Sequence, residues 1–320
     1  MSDKKELVFF QHFHNGDLFV SKEYVRQVFN ELTNVSVSYI HFNHPKTLKD
    51  IGIPQIGKPD RSFDNYLRSP KRAPWYVEYE NLLLVNTWCE GFFRHNPAIV
   101  VPTPHGINHL KMQAQWSHIF QKINSKFGSS LALRPRETYM GKIDYSQFNI
   151  APIDEYIAKH AHRKKILISN GEVMSNQSFS GTMQDIIGIL ALEFPNWDFI
   201  CTTKFGTLIP NIYFTDNIIP QDPPLAEETV AWSKKTCDLN EISYLSTFCD
   251  IIVGRNSGPF VYCVTERNLM DSTKTIISFN KFEDDSLAWA VKHQANYIWT
   301  NRYEITHVLD TIRNEIKAKS

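Results

Sequence analysis

The residues best suited to chemistry lie in a short turn, Gly254-Arg255-Asn256-Ser257-Gly258-Pro259, within the segment Thr236–Val264. The apolar run Asp250–Val253 predicts a buried strand before this turn, and the residues after it predict a helix. A strand that leads through small residues into a helix presents free backbone N–H groups and a positive dipole end to a ligand. Arg255 adds a planar, permanently charged donor. The spacing predicts an anion site. The alternative for the turn is that it only begins a helix, and the alternative for Arg255 is that its side chain is exposed to solvent.

Two further loops carry polar residues directly after predicted strands. Asn170-Gly171-Glu172 follows the strand Lys165–Ser169, and Lys204 follows the strand Trp197–Thr202. Ligands of open α/β sheets bind at the carboxyl ends of the strands. We therefore expect both loops at a ligand-binding edge, on the basis of their position rather than of a motif.

The N-terminal region has its own turn and most of the histidines. The predicted strand Glu6–Phe13 ends in His14-Asn15-Gly16-Asp17, a turn with capping chemistry, before a predicted helix Val20–Leu32. His105 and His109 are four residues apart, a spacing that can bind zinc on a helix. The glutamate of the H-E-x-x-H motif is absent, so we expect no metal.

Composition narrows the class of protein. The 320 residues carry 34 basic and 34 acidic side chains, and a net charge of zero argues against non-specific nucleic-acid binding. The five cysteines include no C-x-x-C pair and predict buried thiols in a reducing compartment. We see no signal peptide and no run of 18 apolar residues, so we expect a cytoplasmic protein.

Strands alternate with helices along both halves of the chain, which predicts two doubly wound α/β domains with parallel sheets and a cleft between them. We expect one domain at residues 1–155 and another at residues 156–320. In an alternative arrangement, the last helix packs back on the first domain. The sequence also predicts strands at Val35–Phe42, Leu82–Thr87, Ala98–Val101 and Thr275–Ser278, and helices at His109–Phe127, Ile153–Ala161, Thr182–Glu193, Ser286–His293 and Tyr303–Ala318.

The segment around the turn resembles the C-terminal domain of heptosyltransferase-like family 9 glycosyltransferases, which have the GT-B fold. Their helix L-x-E-L-x-x-L-I is matched by Leu239–Ile242 with Tyr244-Leu245, and their G-x-D-S-G-P turn by Ser257-Gly258-Pro259. Asn256 stands where the family usually has Asp. Gly16-Asp17 matches a second family feature, a Gly-Asp loop between the first strand and helix. The resemblance implies two Rossmann-like domains, an N-terminal one for the acceptor and a C-terminal one for the nucleotide-sugar donor.

The resemblance also implies roles for residues. Asp17 is the expected general base, assisted by His14, in an inverting single displacement that needs no metal or other cofactor. Asn15, Gly16 and His105 are expected on the acceptor side. The alternative for Asp17 is a helix cap. The residues expected at the donor diphosphate and sugar are Asn170, Gly171, Glu172, Lys204, Glu241, Arg255, Asn256, Ser257 and Gly258.

The expected partners are a nucleotide diphosphate sugar and a glycan or glycolipid, with membrane contact through a lipid-linked acceptor. A surface carboxylate is the alternative for Glu241. The aromatic residues Trp75, Tyr76, Trp88, Phe92 and Phe93 either stack on an acceptor sugar or belong to the core. Two other functions fit the same fold: a sugar-nucleotide epimerase and a non-catalytic nucleotide- or glycan-binding module.

Overall fold

The computed structural model describes residues 4–11, 15–41, 43–57, 75–101, 109–171, 183–221, 237–255, 257–280 and 293–320. His14, His105, Glu172, Asn256 and the predicted helix Ser286–His293 lie outside these ranges, except for His293 itself. The described chain divides into two compact units. The first contains the residues up to Gly141 together with Cys237, and the second contains the rest from Lys142 onward.

The first unit is a five-stranded sheet with helices, and its strand order is β3-β2-β1-β5-β4. The edge strand β4 is antiparallel to β5, and the other neighbouring strands are parallel. The elements are β1 (Glu6–Gln11), α1 (Asn15–Glu31), β2 (Ser36–His41), a 3-10 helix (Pro45–Ile51), β3 (Gln55–Gly57), β4 (Tyr76–Glu78), β5 (Leu82–Asn86), α2 (Cys89–His95), α3 (His109–Phe127) and a 3-10 helix (Arg136–Tyr139).

Aromatic packing joins the sheet of the first unit to its helices. The Trp116 ring of α3 lies 5.0 Å from Tyr24 of α1 in a stacked pair and 5.8 Å from Phe9 of β1. Ile119 and Ile123 follow Trp116 at helical spacing and are fully buried, as the sequence predicts. This packing fixes the start of α1 relative to the end of β1.

The second unit is a six-stranded sheet in which all neighbouring strands are parallel, in the order β11-β10-β9-β6-β7-β8. In chain order within this unit the sheet reads 3-2-1-4-5-6, the order of dinucleotide-binding folds. The elements are a 3-10 helix (Tyr145–Gln147), α4 (Ala151–Lys159), β6 (Lys164–Ser169), α5 (Gln184–Glu193), β7 (Trp197–Cys201), β8 (Ile212–Phe214), α6 (Thr215–Ile218), α7 (Leu239–Ser246), β9 (Ile251–Arg255), α8 (Gly258–Cys263), α9 (Glu266–Leu269), β10 (Thr275–Phe279), β11 (Asn296–Thr300) and α10 (Ile305–Lys319).

The last helix belongs to the core of the second unit. Val308, Ile312 and Ile316 of α10 are fully buried in the hydrophobic cluster that also holds residues of α5 and β9. Residue 155, the expected end of the first domain, lies inside α4.

Three differences from the predicted elements bear on the site. Ala98–Val101 is not a strand, and α1 begins at Asn15 instead of near Val20, so Gly16 and Asp17 lie in its first turn. The short strands β3, β4, β8 and β11 and the helix α2 were not predicted. Within the described ranges, no helix is both long enough and apolar enough to cross a bilayer.

We predict that His41 makes the first unit sensitive to acid. His41 is fully buried in β2, and its Nε2 lies 2.9 Å from Gln55 Oε1. Burial lowers its pKa to about 4. Because the unfolded histidine titrates near pH 6.5, the free energy of unfolding is unaffected above that pH and should fall by about 2 kcal/mol between pH 6.5 and pH 5.

Urea denaturation of the wild type and His41→Gln at both pH values checks this. The variant should lose most of the pH dependence, whereas His162→Gln, at an exposed histidine, should keep it. An unchanged pH dependence in His41→Gln would contradict the assignment.

Candidate functional site

The carboxyl ends of β6 and β9 form the candidate site of the second unit. These two strands are neighbours at the point where the strand order reverses, the usual ligand position in open α/β sheets. Ser169, the last residue of β6, pairs in register with Gly254 of β9. Residues that follow the two strands are thereby brought to one place although they lie more than 80 positions apart.

Gly254 permits a close approach between β9 and the short helix α8. A Cβ atom at this position would overlap the ring of Phe260, which is fully buried. The helix has only six residues and carries Pro259, which has no backbone N–H, in its first turn. The dipole contribution expected from the sequence is correspondingly smaller, because few aligned peptides and fewer free donors are present.

Two serine hydroxyl groups face each other between the two strand ends. Ser169 Oγ lies 2.9 Å from Ser257 Oγ. Ser257 is the N-cap residue of α8, and its backbone carbonyl accepts a hydrogen bond from Val261 N at 2.9 Å. Each hydroxyl is both a donor and an acceptor, so the pair can also donate to a ligand oxygen.

Arg255 is buried, which corrects the alternative of a solvent-exposed turn residue. It ends β9, is 2% exposed, and donates from Nη2 to the carbonyl of Asn170 at 3.0 Å and to the carbonyl of Gly171. The guanidinium therefore holds the loop after β6 against the end of β9. A direct phosphate contact of Arg255 stays a prediction.

The Asn170 side chain extends this support to β7. Its Oδ1 accepts a hydrogen bond from Thr203 N at 2.9 Å, and its Nδ2 donates to Thr203 O at 2.8 Å. A Cβ atom added to Gly171 would lie 2.9 Å from Thr203 Oγ1, so the two loops are in close contact. The ends of β6, β7 and β9 are thus linked by hydrogen bonds.

Lys204 and Glu241, two further residues expected at the nucleotide-sugar donor, differ in exposure. The Lys204 side chain is 54% exposed, and its Nζ lies 3.6 Å from Asp216 Oδ2. Glu241 on α7 is 1% exposed, so the alternative of a surface carboxylate is wrong. Lys204 is therefore accessible to a ligand, whereas the Glu241 carboxylate is enclosed.

Polar side chains also gather at the strand ends of the first unit. Tyr39 OH lies 2.6 Å from Thr87 Oγ1, and Thr87 N donates to Phe10 O at 2.9 Å. Gln115 Nε2 on α3 donates to Thr87 O at 3.1 Å. The sequence analysis missed Thr87 and Gln115. In the sequence, Thr87 shows only as a polar residue at the end of a predicted strand, and Gln115 only as one polar residue within a predicted helix.

Asp17 lies close to this group, in the first turn of α1. Burial raises the pKa of Tyr39 and of the Cys89 thiol, and the charge of Asp17 adds to both shifts. Asp17 is the third residue of α1 and lies in its first turn. Asn15 begins α1 and is 7% exposed, and Gly16 follows it.

The described histidines form no metal site, and Phe92 of the aromatic group lies in the core. Among the described residues no group of three His, Cys, Asp or Glu could hold a metal ion. His109 Nε2 lies 3.1 Å from Arg136 Nη1, and burial followed by the Arg136 charge lowers its pKa. Phe92 is 1% exposed and contacts Trp75 at 5.3 Å, so this part of the aromatic group is core.

No family model matches the chain, and no curated protein matches it. Similar solved structures include a family 9 glycosyltransferase of Veillonella parvula, at 9% identity over 97% of this chain and 92% of that one, with a TM-score of 0.47. The ADP-heptose LPS heptosyltransferase II of E. coli aligns at 12% identity over 99% and 100%, with a TM-score of 0.49. A candidate UDP-N-acetylglucosamine 2-epimerase of Listeria monocytogenes aligns at 7% identity over 99% and 89%, with a TM-score of 0.46.

We predict that Gly254→Ala destabilises the second unit. The added methyl group would overlap the buried Phe260 ring, and moving a packed ring in a core costs about 1–3 kcal/mol. Urea denaturation should show a lower midpoint. Gly206→Ala is the matched control, because a Cβ atom there meets nothing within 4 Å. Equal stability of the two variants would show that β9 and α8 do not need this close approach.

Proposed function

We propose that the chain is a glycosyltransferase that moves a sugar from a nucleoside diphosphate donor to a hydroxyl group of a glycan or glycolipid. One observation carries the proposal. The strands β6 and β9 are neighbours at the point where the strand order 3-2-1-4-5-6 reverses, and the hydroxyls of Ser169 and Ser257 face each other beyond their ends. The similarity of the turn and of Gly16-Asp17 to family 9 motifs supports it.

In this proposal the donor diphosphate binds beside Ser169 and Ser257. Their hydroxyls and backbone N–H groups would donate to the phosphate oxygens, and the exposed Lys204 would add positive charge. Arg255 and Asn170 would act by holding the loop after β6 in place. Fixed donors stabilise the negative charge that develops as the nucleoside diphosphate leaves, so no divalent ion is required.

The proposed reaction is a single inverting displacement. The acceptor hydroxyl oxygen attacks the anomeric carbon, the bond from that carbon to the diphosphate oxygen breaks, and the hydroxyl proton passes to the Asp17 carboxylate. The first unit supplies this base and the acceptor contacts of Asn15 and Gly16. His14, His105, Glu172 and Asn256 keep their expected roles as proposals. A glycolipid acceptor would bring the enzyme to a membrane surface.

We expect nucleoside diphosphates to bind in the presence of EDTA. In titration calorimetry with ADP, UDP and GDP, at least one should bind the wild type, and Ser257→Ala should weaken it about tenfold through loss of a hydrogen bond to a charged group. Ser146→Ala, an exposed serine of the same unit, is the control. Binding that needs added magnesium or manganese would contradict a metal-free site.

We expect Asp17→Asn to lower the transfer rate by about 100-fold or more, since the amide cannot accept the proton. Product formation from the sugar nucleotide that binds, with a panel of glycan acceptors, measures this. Nucleotide affinity should be unchanged, because Asp17 lies in the other unit. Full activity of the variant would remove the assigned role.

The same reactions discriminate between the alternatives. A transferase consumes the sugar nucleotide only when an acceptor is present, apart from slow hydrolysis. An epimerase would convert the sugar nucleotide into its epimer without any acceptor. A binding module would bind the nucleotide and change nothing.

A further inference from the structure

The short helix α7 of the second unit is buried on almost all sides, and it carries polar side chains into the interior. Seven of its eight residues are buried, and they include Asn240, Glu241, Ser243 and Ser246. A buried polar group costs free energy unless it is hydrogen-bonded or serves a ligand. The contacts of the two serines show to which elements this helix is attached.

Ser243 attaches α7 to α8. It is fully buried, and its Oγ lies 2.5 Å from Tyr262 O and 3.0 Å from Tyr145 OH. Because a carbonyl can only accept, the Ser243 hydroxyl donates to Tyr262 and accepts from the Tyr145 phenol. Burial raises the pKa of Tyr145 to about 12, so the phenol retains its proton at neutral pH. One hydroxyl thereby connects α7 with α8 and with the 3-10 helix Tyr145–Gln147.

Ser246 provides a second attachment, one turn further along α7. Its Oγ donates to Ser243 O at 2.6 Å and accepts from Asn268 Nδ2 at 2.7 Å. The same Asn268 nitrogen donates to the carbonyl of Cys263, the last residue of α8, at 2.8 Å. Ser246 and Asn268 are fully buried. A shift of α7 along α8 would therefore break several buried hydrogen bonds.

These attachments fix the position of Glu241 relative to Ser257. Glu241 is 1% exposed and lies two residues before Ser243 on α7. Ser257 is the N-cap of α8, five residues before Tyr262. Because Ser243 bonds directly to the Tyr262 carbonyl, the hydrogen bond between them sets the distance from the Glu241 carboxylate to the start of α8.

We propose that Ser243 is a positioning residue for the nucleotide-sugar donor, because its hydrogen bond to Tyr262 O holds Glu241 in register with Ser257. A carboxylate only accepts hydrogen bonds and repels a diphosphate, so Glu241 is suited to a hydroxyl group of the nucleoside while Ser257 serves the phosphates. This inference rests on the proposed function and on the expected place of Glu241 at the donor.

A double-mutant cycle on nucleotide affinity tests the inference in the full chain. Titration calorimetry measures the Kd of ADP, UDP or GDP, whichever binds the wild type. Ser243→Ala should raise this Kd about fivefold in the wild-type background and by less than about twofold in a Glu241→Gln background, because no carboxylate remains there to be misplaced. A purely structural Ser243 would raise the Kd by the same factor in both backgrounds. That result, or an unchanged Kd in Ser243→Ala, would overturn the inference.

Thr247→Ala is the matched control, because it also removes a hydroxyl at α7. Thr247 Oγ1 donates to Tyr244 O at 2.8 Å, a local bond that does not reach α8, so the Kd should not change. Ser243→Cys places a weaker donor at the same position and should raise the Kd in the same direction. This second variant answers the question if Ser243→Ala unfolds, and urea denaturation establishes that each variant is folded.

Failure of the proposed function gives a different result from failure of this inference. If the wild type binds no nucleoside diphosphate, the donor site is absent and both are overturned. If a nucleoside diphosphate binds normally but Ser243 and Glu241 show no coupling, the proposed function stands and only the positioning role is refuted.

Discussion

The hydrogen bonds from the buried Arg255 guanidinium to the carbonyls of Asn170 and Gly171 hold together the candidate ligand-binding edge of the second unit. A guanidinium that is 2% exposed has given up most of its hydration, and it is tolerated only where its donors are satisfied. Its planar geometry fixes both carbonyls at once. Because Asn170 also bonds in two directions to the Thr203 backbone, the constraint passes from β9 through β6 to β7.

A constrained edge of this kind is useful to a transferase because the donors are oriented before the ligand arrives. Ser169 ends β6 and Ser257 caps α8, so the separation of their hydroxyls depends on the pairing of β6 with β9 and on the close approach of α8 to β9 at Gly254 and Phe260. Donors held in this way lose little freedom as charge develops on a leaving diphosphate. The buried arginine orients the loop after β6 within this edge.

The sequence predicted the strands that build this site, because β6 and β9 are buried on both faces and appear as continuous apolar runs. The strands β3, β4 and β8 have only three residues each, too few to show a pattern. The burial of Arg255 could not be predicted, since it depends on a loop more than 80 positions earlier in the chain. The prediction of a strand at Ala98–Val101 was wrong for a different reason, because four apolar residues form a strand only where a neighbouring strand can pair with them.

The two strand-end groups differ in polarity, and this difference has a physical basis in the reaction that we propose. A diphosphate needs donors, and the second unit provides serine hydroxyls and a lysine at its strand ends. An acceptor hydroxyl must lose a proton, and the first unit provides a carboxylate and amide oxygens in the first turn of α1 and on α3. A base near the cationic groups would be drawn into ion pairs, as Asp216 is with Lys204. The base that we propose, Asp17, belongs to the other unit from Lys204.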